Sequence, residues 1–360
     1  HLSAGELAVT KVEGREGLSE PYAFAVDFVL RSGDGLDLDE LLGREGELTL
    51  RRNTGEERVV HGECHRVELT GVAAGVPSYR VTLRPRLSRL ALVTQSRIFQ
   101  GKSVPQIVDA VLSRAHVAHR SALAGSYPAL EYVAQYRESD LAFVSRLLEE
   151  EGIWYRFEHG PGSHELVLGD EPSGYAEHAS DVPFRFKTGE ADEAEHIHWL
   201  ERECRDEPGE VELREYDFER PGLEVTSRAG DRKGPQVYEV VAGKYDGSSG
   251  KERAKRRLEG LRYGAETFQG KGNSLAFVPG AAIQLEERER ILVVRMTHSA
   301  TQELSSGGAG ERSASYENAF EGIDAKRAYR PKRSTPQPKI RVFADSSGPE
   351  RRGLMQEAAC

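Results

Sequence analysis

Period-two alternation governs the first ninety residues. Tyr22, Phe24, Val26, Phe28 and Leu30 alternate with smaller or polar neighbours, and Tyr79, Val81 and Leu83 alternate with Arg80, Thr82 and Arg84. Successive side chains of a strand point to opposite faces, so each segment predicts a strand with one buried face. Ser32-Gly33-Asp34-Gly35 and Asn53-Thr54-Gly55 supply turns between such segments. Several short strands punctuated in this way predict an antiparallel barrel or sandwich.

The period then changes. Val104, Ile107, Val108, Val111 and Leu112 recur at helical spacing, with Ser103 as cap and Gln106 three residues on completing a capping-box pattern. A second helix is predicted over Asp140–Glu151, burying Leu141, Val144, Leu147 and Leu148, with Gly152 suited to stop it. Glu149, Glu150 and Glu151 sit at the end of that helix, where negative charge is disfavoured, so they are expected to face a basic surface of another subunit. After Gly152 the period returns to two. Ile153, Tyr155 and Phe157 alternate with Trp154, Arg156 and Glu158, Gly160-Pro161-Gly162 turns, and Glu165–Leu168 reads as the partner strand. Further strands are predicted around Val211–Leu213, Ala276–Leu285 and Ile291–Thr297, and a helix over Lys251–Tyr263 with Ala254, Leu258 and Leu261 on its apolar side. From Lys326 to Arg341 there are seven basic residues, no acidic ones, and Pro331, Pro336 and Pro338, which predicts an extended strap with little packing of its own.

Composition narrows the class. The chain has 360 residues, 38% hydrophobic and 30% charged, enough for two or three domains with real cores. No apolar run reaches membrane-spanning length and no basic-then-apolar leader opens the sequence. A formal net charge of −10 argues against a sequence-independent nucleic-acid binder. Three widely spaced cysteines, Cys64, Cys204 and Cys360, fit a protein folded in a reducing compartment.

Candidate chemistry is sparse. His196 and His198 share one strand face, as a metal site needs, but no third ligand is evident. In His61-Gly-Glu-Cys64-His65 the first cysteine of a haem attachment is absent, and adjacent strand residues diverge rather than converge on a metal. Gly247-Ser-Ser-Gly250-Lys251-Glu252 is a partial match to a phosphate loop, with the wrong spacing and a carboxylate where Ser or Thr should hold magnesium. The basic side of the last helix (Lys251, Arg253, Lys255, Arg256, Arg257 and Arg262) reads as a solvated face. Neither Gly-x-Ser-x-Gly nor His-Glu-x-x-His occurs. No catalytic, cofactor-binding or metal-ligating residue is therefore assigned, and no cofactor is expected.

One long segment carries a resemblance. Gln135-Tyr-Arg-Glu-Ser-Asp140-Leu141, continuing through Phe143-Val-Ser-Arg-Leu-Leu-Glu-Glu-Glu-Gly152-Ile153, resembles the VgrG spike proteins of type VI secretion systems. Matches in order surround it: Glu13-Gly-Arg-Glu-Gly-Leu-Ser-Glu-Pro21, Ser96-Arg-Ile-Phe-Gln100, Lys102-Ser-Val-Pro105, Tyr216-Asp-Phe-Glu-Arg-Pro221, Tyr329-Arg-Pro331 and Thr335-Pro336. The resemblance runs from about Leu7 to Ile340. It implies a hub like that of contractile phage tails: two β-barrels per chain with added α/β elements, three chains forming a ring of six barrels, and docking on a hexameric Hcp tube. In that family a small barrel and a triple β-helix needle follow, and some members carry an effector enzyme.

Against that family pattern the residues before Leu7 are few, and Arg341–Cys360 is a short polar segment instead of the entry to a further barrel. The sequence therefore leads to the expectation that everything past about Ile340 is flexible and that the isolated chain trimerises poorly.

The expected fold is mainly β, of α+β type, with two barrel-like hub domains and a helix–hairpin element. The expected divisions are 1–95 for the first barrel, 96–175 for the α/β element, 176–325 for the second barrel with an inserted segment, and 326–360 for the basic linker and polar tail. The expected role is a structural, non-enzymatic hub of the type VI secretion spike. Its expected partners are two further copies of itself, the Hcp hexamer, baseplate components and effectors, without nucleic acid or membrane insertion. It would be cytoplasmic during assembly and then delivered by the injection system. The competing readings are a cell-wall- or carbohydrate-acting enzyme of such a system, or an effector-loading adaptor.

Overall fold

The computed structural model describes residues 7–30, 35–52, 54–73, 75–178, 182–185, 194–216, 224–231, 233–241, 247–285, 289–303 and 314–338. The amino-terminal alternation becomes β1 (Leu7–Gly17), β2 (Glu20–Leu30), β3 (Glu45–Arg51), β4 (Glu57–Ala73) and β5 (Val76–Arg84), with a one-turn helix α1 (Leu38–Leu41) before β3. The middle of the chain forms β6 (Thr94–Lys102), α2 (Val104–Arg114), β7 (His119–Ala122), β8 (Leu130–Ser139), α3 (Asp140–Glu151), β9 (Trp154–Gly160) and β10 (Ser163–Gly169). The remainder forms β11 (Ala176–Glu177), β12 (Ile197–Cys204), β13 (Glu210–Tyr216), β14 (Glu224–Gly230), β15 (Gln236–Val241), α4 (Gly247–Leu261), β16 (Glu266–Gly272), β17 (Ala281–Leu285), β18 (Glu289–Gln302) and β19 (Ala314–Asp324).

The protein is mostly β, and one sheet joins its two ends. Its strand order is β12-β16-β19-β18-β1-β2-β5-β4-β3, with β17 beside β18 and β11 beside β17. Apart from the short β11–β17 pair its ladders are antiparallel. β18 is the pivot. Its first residues pair with β17, and Arg295–Thr301 pair with Gly17–Lys11 of β1. Around this pivot the sheet wraps two cores. One contains Tyr22, Phe24, Phe28, Val60, Tyr79 and Leu83. The other contains Ile197, Phe268, Phe277, Ile283, Val293 and Phe320. At the seam Gly14 lies so close to Phe24 that a Cβ there would stand 2.3 Å from the ring, and only glycine fits.

A third core belongs to the helix–hairpin element. Ile107, Val111 and Leu112 of α2 and Phe143, Val144, Leu147 and Leu148 of α3 pack on Ile153, Tyr155, Leu166 and Leu168. Leu141, expected in this core, is only half-buried, and Phe143 takes the central place by stacking on Phe99. Gln106 Oε1 accepts the Ser103 backbone N–H at 2.9 Å, the return half of the expected capping box. Trp154, Tyr155 and Arg156 are all buried, so β9 is covered on both faces and its alternation is masked.

Three expectations need correction. The strand expected over Ala276–Leu285 begins only at Ala281, because Pro279-Gly280 form a turn in which the Gly280 N–H bonds to Val293 O. The helix expected over Lys251–Tyr263 runs instead over Gly247–Leu261 and so takes in the whole Gly247–Glu252 segment. The strap forms neither helix nor strand among its described residues, yet it packs: Tyr329, Arg330 and Pro331 are buried. The segment 339–360, expected to be flexible, lies outside the described residues. Among the described residues no helix is long and apolar enough to cross a membrane.

Candidate functional site

The residues singled out from the sequence fall at four places. His196 and His198 do share a face, with ring centroids 5.9 Å apart, but each turns to its own partner. His196 Nδ1 lies 2.9 Å from Ala194 O, and His198 Nε2 lies 3.5 Å from Glu317. Among the described residues no group of three or more His, Cys, Asp or Glu is placed to hold a metal ion.

In the His61–His65 segment, Cys64 enters the first core, where burial and then the nearby Glu63 raise its thiol pKa. His65 points to solvent. His61 meets two histidines the sequence did not connect with it, His159 on β9 and His164 on β10. The His61 backbone N–H donates to His159 Nδ1 at 3.1 Å, and the Arg86 N–H approaches His164 Nε2 at 3.4 Å. Tyr22 stands between the rings, 5.2 Å from His159 and 5.8 Å from His164, and its hydroxyl donates to His61 O. The cluster backs a cleft of about 320 Å³ lined by Glu45, Glu47, Glu63 and Arg86 among others. Burial pushes both His159 and His164 down to about 4, so both are neutral at pH 7. An imidazole that refuses protons until about pH 4 is a weak general base near neutrality. The geometry is that of a joint between β4 and the β9–β10 hairpin.

A second polar cluster, also unread from the sequence, sits at the β1–β18 seam. Glu16 takes two bonds from Arg58 Nη2, at 2.6 and 2.7 Å, and lies 2.6 Å from His298 Nε2. His298 Nδ1 is 2.8 Å from the Tyr316 hydroxyl. Hydroxyl, imidazole and carboxylate are in line, as in a nucleophilic triad. Two features disarm it. The carboxylate is held by a guanidinium, and Glu16, Arg58 and His298 are all buried. Burial alone would raise the Glu16 carboxyl, but Arg58 and His298 hold it down at about 2. Burial also pushes the Tyr316 phenol up, away from a nucleophilic state at pH 7.

The most extensively built locus is the carboxyl end of α3, and it explains the long motif. Ser139 Oγ caps the helix by accepting the Ala142 N–H at 3.1 Å. Buried Asp140 accepts from Gln135 Nε2 at 2.8 Å and from Arg97 at 2.5 Å. Arg146 pairs with Glu138 at 2.7 Å. Gly152 closes the helix at φ +67°, a left-handed turn, and a Cβ there would come within 2.9 Å of Arg330.

The three glutamates, expected to face another subunit, find partners within the same chain. Glu149 accepts four hydrogen bonds from the strap: backbone N–H groups of Ser334 and Thr335, both at 2.9 Å, and their hydroxyls at 3.4 and 2.7 Å. Glu150 accepts from Gln337, and Glu151 from Arg256 at 3.0 Å. Arg330, fully buried, donates to Glu259 at 2.8 Å, Glu171 at 3.0 Å, Gly152 O at 3.2 Å and Asp170 O. The adverse charge at the helix end is thus offset by strap and α4 cations.

This also corrects the reading of α4 as a solvated basic face. Arg253 approaches Glu215 at 4.0 Å, Arg257 pairs with Glu239, and Arg262 donates to Pro208 O at 2.8 Å. Lys251 and Lys255 are left to solvent.

A family model described as phage tail baseplate hub (GPD) matches residues 15–304. The type VI secretion system spike protein VgrG1b of Pseudomonas aeruginosa is 34% identical over 361 residues, covering 94% of this chain and 48% of that protein. The actin cross-linking toxin VgrG1 of Vibrio cholerae is 29% identical, over 96% of this chain and 34% of the toxin. The chain spans about half the length of the spike proteins it matches. Among solved structures, the E. coli c3393 protein superposes with a TM-score of 0.69 at 25% identity, covering 92% of this chain and 78% of that one. It is described as a type VI secretion component structurally similar to the T4 phage tail proteins gp27 and gp5.

Proposed function

The chain belongs to the phage tail baseplate hub family, and on that premise we propose that it is the hub portion of a type VI secretion spike, a structural part and not an enzyme. Three copies assemble into a ring of six barrel-like units that docks on the hexameric Hcp tube, next to baseplate components and effectors. It assembles in the cytoplasm and leaves through the injection system. The observation that carries this reading is the hub-family match over residues 15–304, together with the c3393 likeness at a TM-score of 0.69. The buried state of Glu16 and His298 and the neutral, buried His159 and His164 support a scaffold, since catalytic groups need access and a matched pKa.

The division into 1–95, 96–175, 176–325 and a carboxyl-terminal strap is part of the same proposal. Separate cores in the first three segments support it. The strand β13, with β14, β15 and α4 around Val211, Leu213, Ala254 and Leu258, is the inserted segment.

The test is mass measurement in solution, with and without the Hcp hexamer. The expected species on the tube is three times the 39.9 kDa chain, while the chain alone trimerises poorly. A chain that stays monomeric with Hcp present contradicts the reading. So does turnover of peptidoglycan that one carboxylate substitution abolishes.

A further inference from the structure

The cleft beside β3 holds polar groups that the chain itself does not satisfy. β3 and β4 pair so that Glu45 stands opposite Glu63 and Glu47 opposite His61. Leu48, Val60 and Cys64, at the alternate positions, fill the first core. The other four side chains therefore form a two-by-two array on the outer face of the pair. The array fronts the cleft of about 320 Å³, which His164 lines from β10.

Carboxylates directly opposite each other on a sheet repel and cost stability. Glu63 is answered, since Arg86 approaches it at 3.3 Å and Arg89 bonds to it. Glu45 and Glu47 are not. Among the described residues neither comes within ion-pair distance of a lysine or arginine. Arg86 is occupied by Glu63 and by Ala115 O at 3.3 Å.

A second observation is independent of charge. His61 is only 7% exposed, yet among the described residues neither of its ring nitrogens has a hydrogen-bond partner. Its Nδ1 lies 3.8 Å from Glu47 Oε2, too far for a hydrogen bond. Buried polar groups are hydrogen-bonded as a rule, so one that is not calls for a partner. Both groups line the same cleft, and a ligand with several N–H donors can bond to both at once.

The chemistry of that ligand follows. A bare metal ion does not fit, because no three His, Cys, Asp or Glu among the described residues are placed to hold one. An ammonium is a compact point charge. A guanidinium is a planar fork of donors that suits carboxylates and stacks on rings. Burial keeps His164 neutral at pH 7, so its ring does not repel a cation. The volume lies at the low end for ligand sites and suits one long side chain. A net charge of −10 steers a basic segment toward the chain.

We propose that this cleft takes an arginine side chain of a protein partner, its guanidinium received by Glu45, Glu47 and His61. The site goes beyond the hub reading and does not depend on the trimer.

The test follows the histidine ring signals of the full chain by NMR. The probe is the capped tripeptide acetyl-alanyl-arginyl-alanine amide, added up to about 10 mM. Saturable shifts are expected at His61 and His164. The same peptide with citrulline, which keeps the shape of arginine and loses its charge, should bind at least about tenfold more weakly. The lysine peptide should bind several-fold more weakly. Glu45→Gln together with Glu47→Gln should weaken binding about tenfold, and each alone several-fold, since a single exposed ion pair contributes little. No saturable shift at these two rings overturns the site. So does equal binding of the citrulline or lysine peptide, or undiminished binding by the double variant. Melting is the second measurement. Both glutamates are exposed, and their loss relieves the like-charge pair, so Tm should hold or rise in the double variant. A lower Tm would mean that these carboxylates hold the fold instead of a ligand, and would overturn the assignment.

Discussion

The two histidine-bearing joints solve one problem in opposite ways. At the β1–β18 seam, Glu16, Arg58 and His298 are sealed in together, and charge meets charge. Beside β4, the His159 and His164 rings are met by backbone N–H groups and aromatic faces, and burial keeps them neutral. The same residue type cements one joint through its bond to a carboxylate and the other through packing. The first joint should therefore resist acid and fail on loss of a partner. The second should tolerate substitution and fail in acid.

The largest expected effect breaks the first joint. Arg58→Met leaves a buried carboxylate with only His298 beside it and should cost about 3–5 kcal/mol in denaturant unfolding. The double change with Glu16→Gln should recover much of that loss, and a single-variant loss below about 1 kcal/mol would mean the seam is wet. An apolar yardstick comes next. Leu148→Ala, in the helix–hairpin core, should cost about 2–5 kcal/mol.

Acid separates the joints by order. Above about pH 6.5 the cleft imidazoles are neutral in folded and unfolded chains alike. Between 6.5 and about 4 the unfolded chain takes up protons that the folded chain refuses, so stability falls as pH drops through that window. The Glu16 contribution has the same sign but a lower window, from its ordinary 4.5 down to about 2. It is fully present above that window and is lost only as pH falls through it. Melting curves from pH 7.5 down to 4 should fall, and His164→Phe should flatten the fall while leaving Tm at pH 7.5 nearly unchanged. An unaltered slope in that variant would place the acid sensitivity elsewhere. The smallest effect is at the strap. Glu149→Ala should lower global stability by only about 1 kcal/mol yet speed amide exchange at Ser334 and Thr335 about tenfold.

What was legible in the sequence was local. α3 could be placed to the residue because its period, its Ser139 cap and its Gly152 stop lie within one short segment. The mostly β class followed from alternation in the first ninety residues. What was not legible was long-range. His61 meets His159 across about a hundred residues, and Glu149 meets Ser334 across 185. No periodicity encodes such pairs. The strap shows the same limit: its proline content argued against a helix, but its packing depends on Arg330 reaching groups at residues 152, 170, 171 and 259. The α4 arginines were misjudged for the same reason, since Glu151, Glu215 and Glu239 lie on other elements.

The pairing of β1 with β18 also sets a timetable for the nascent chain. β1 and β2 form a hairpin as soon as they emerge, but the other edge of β1 waits for Arg295–Thr301, about 280 residues later. At about 5–20 residues per second, that is roughly a quarter of a minute to a minute on the ribosome. Throughout that interval an open strand edge, with Gly14 bare of any side chain, is offered to whatever strand arrives first. Ribosome stalling before residue 295 should therefore give the most aggregation-prone chains, and release should come only when β18 has left the exit tunnel.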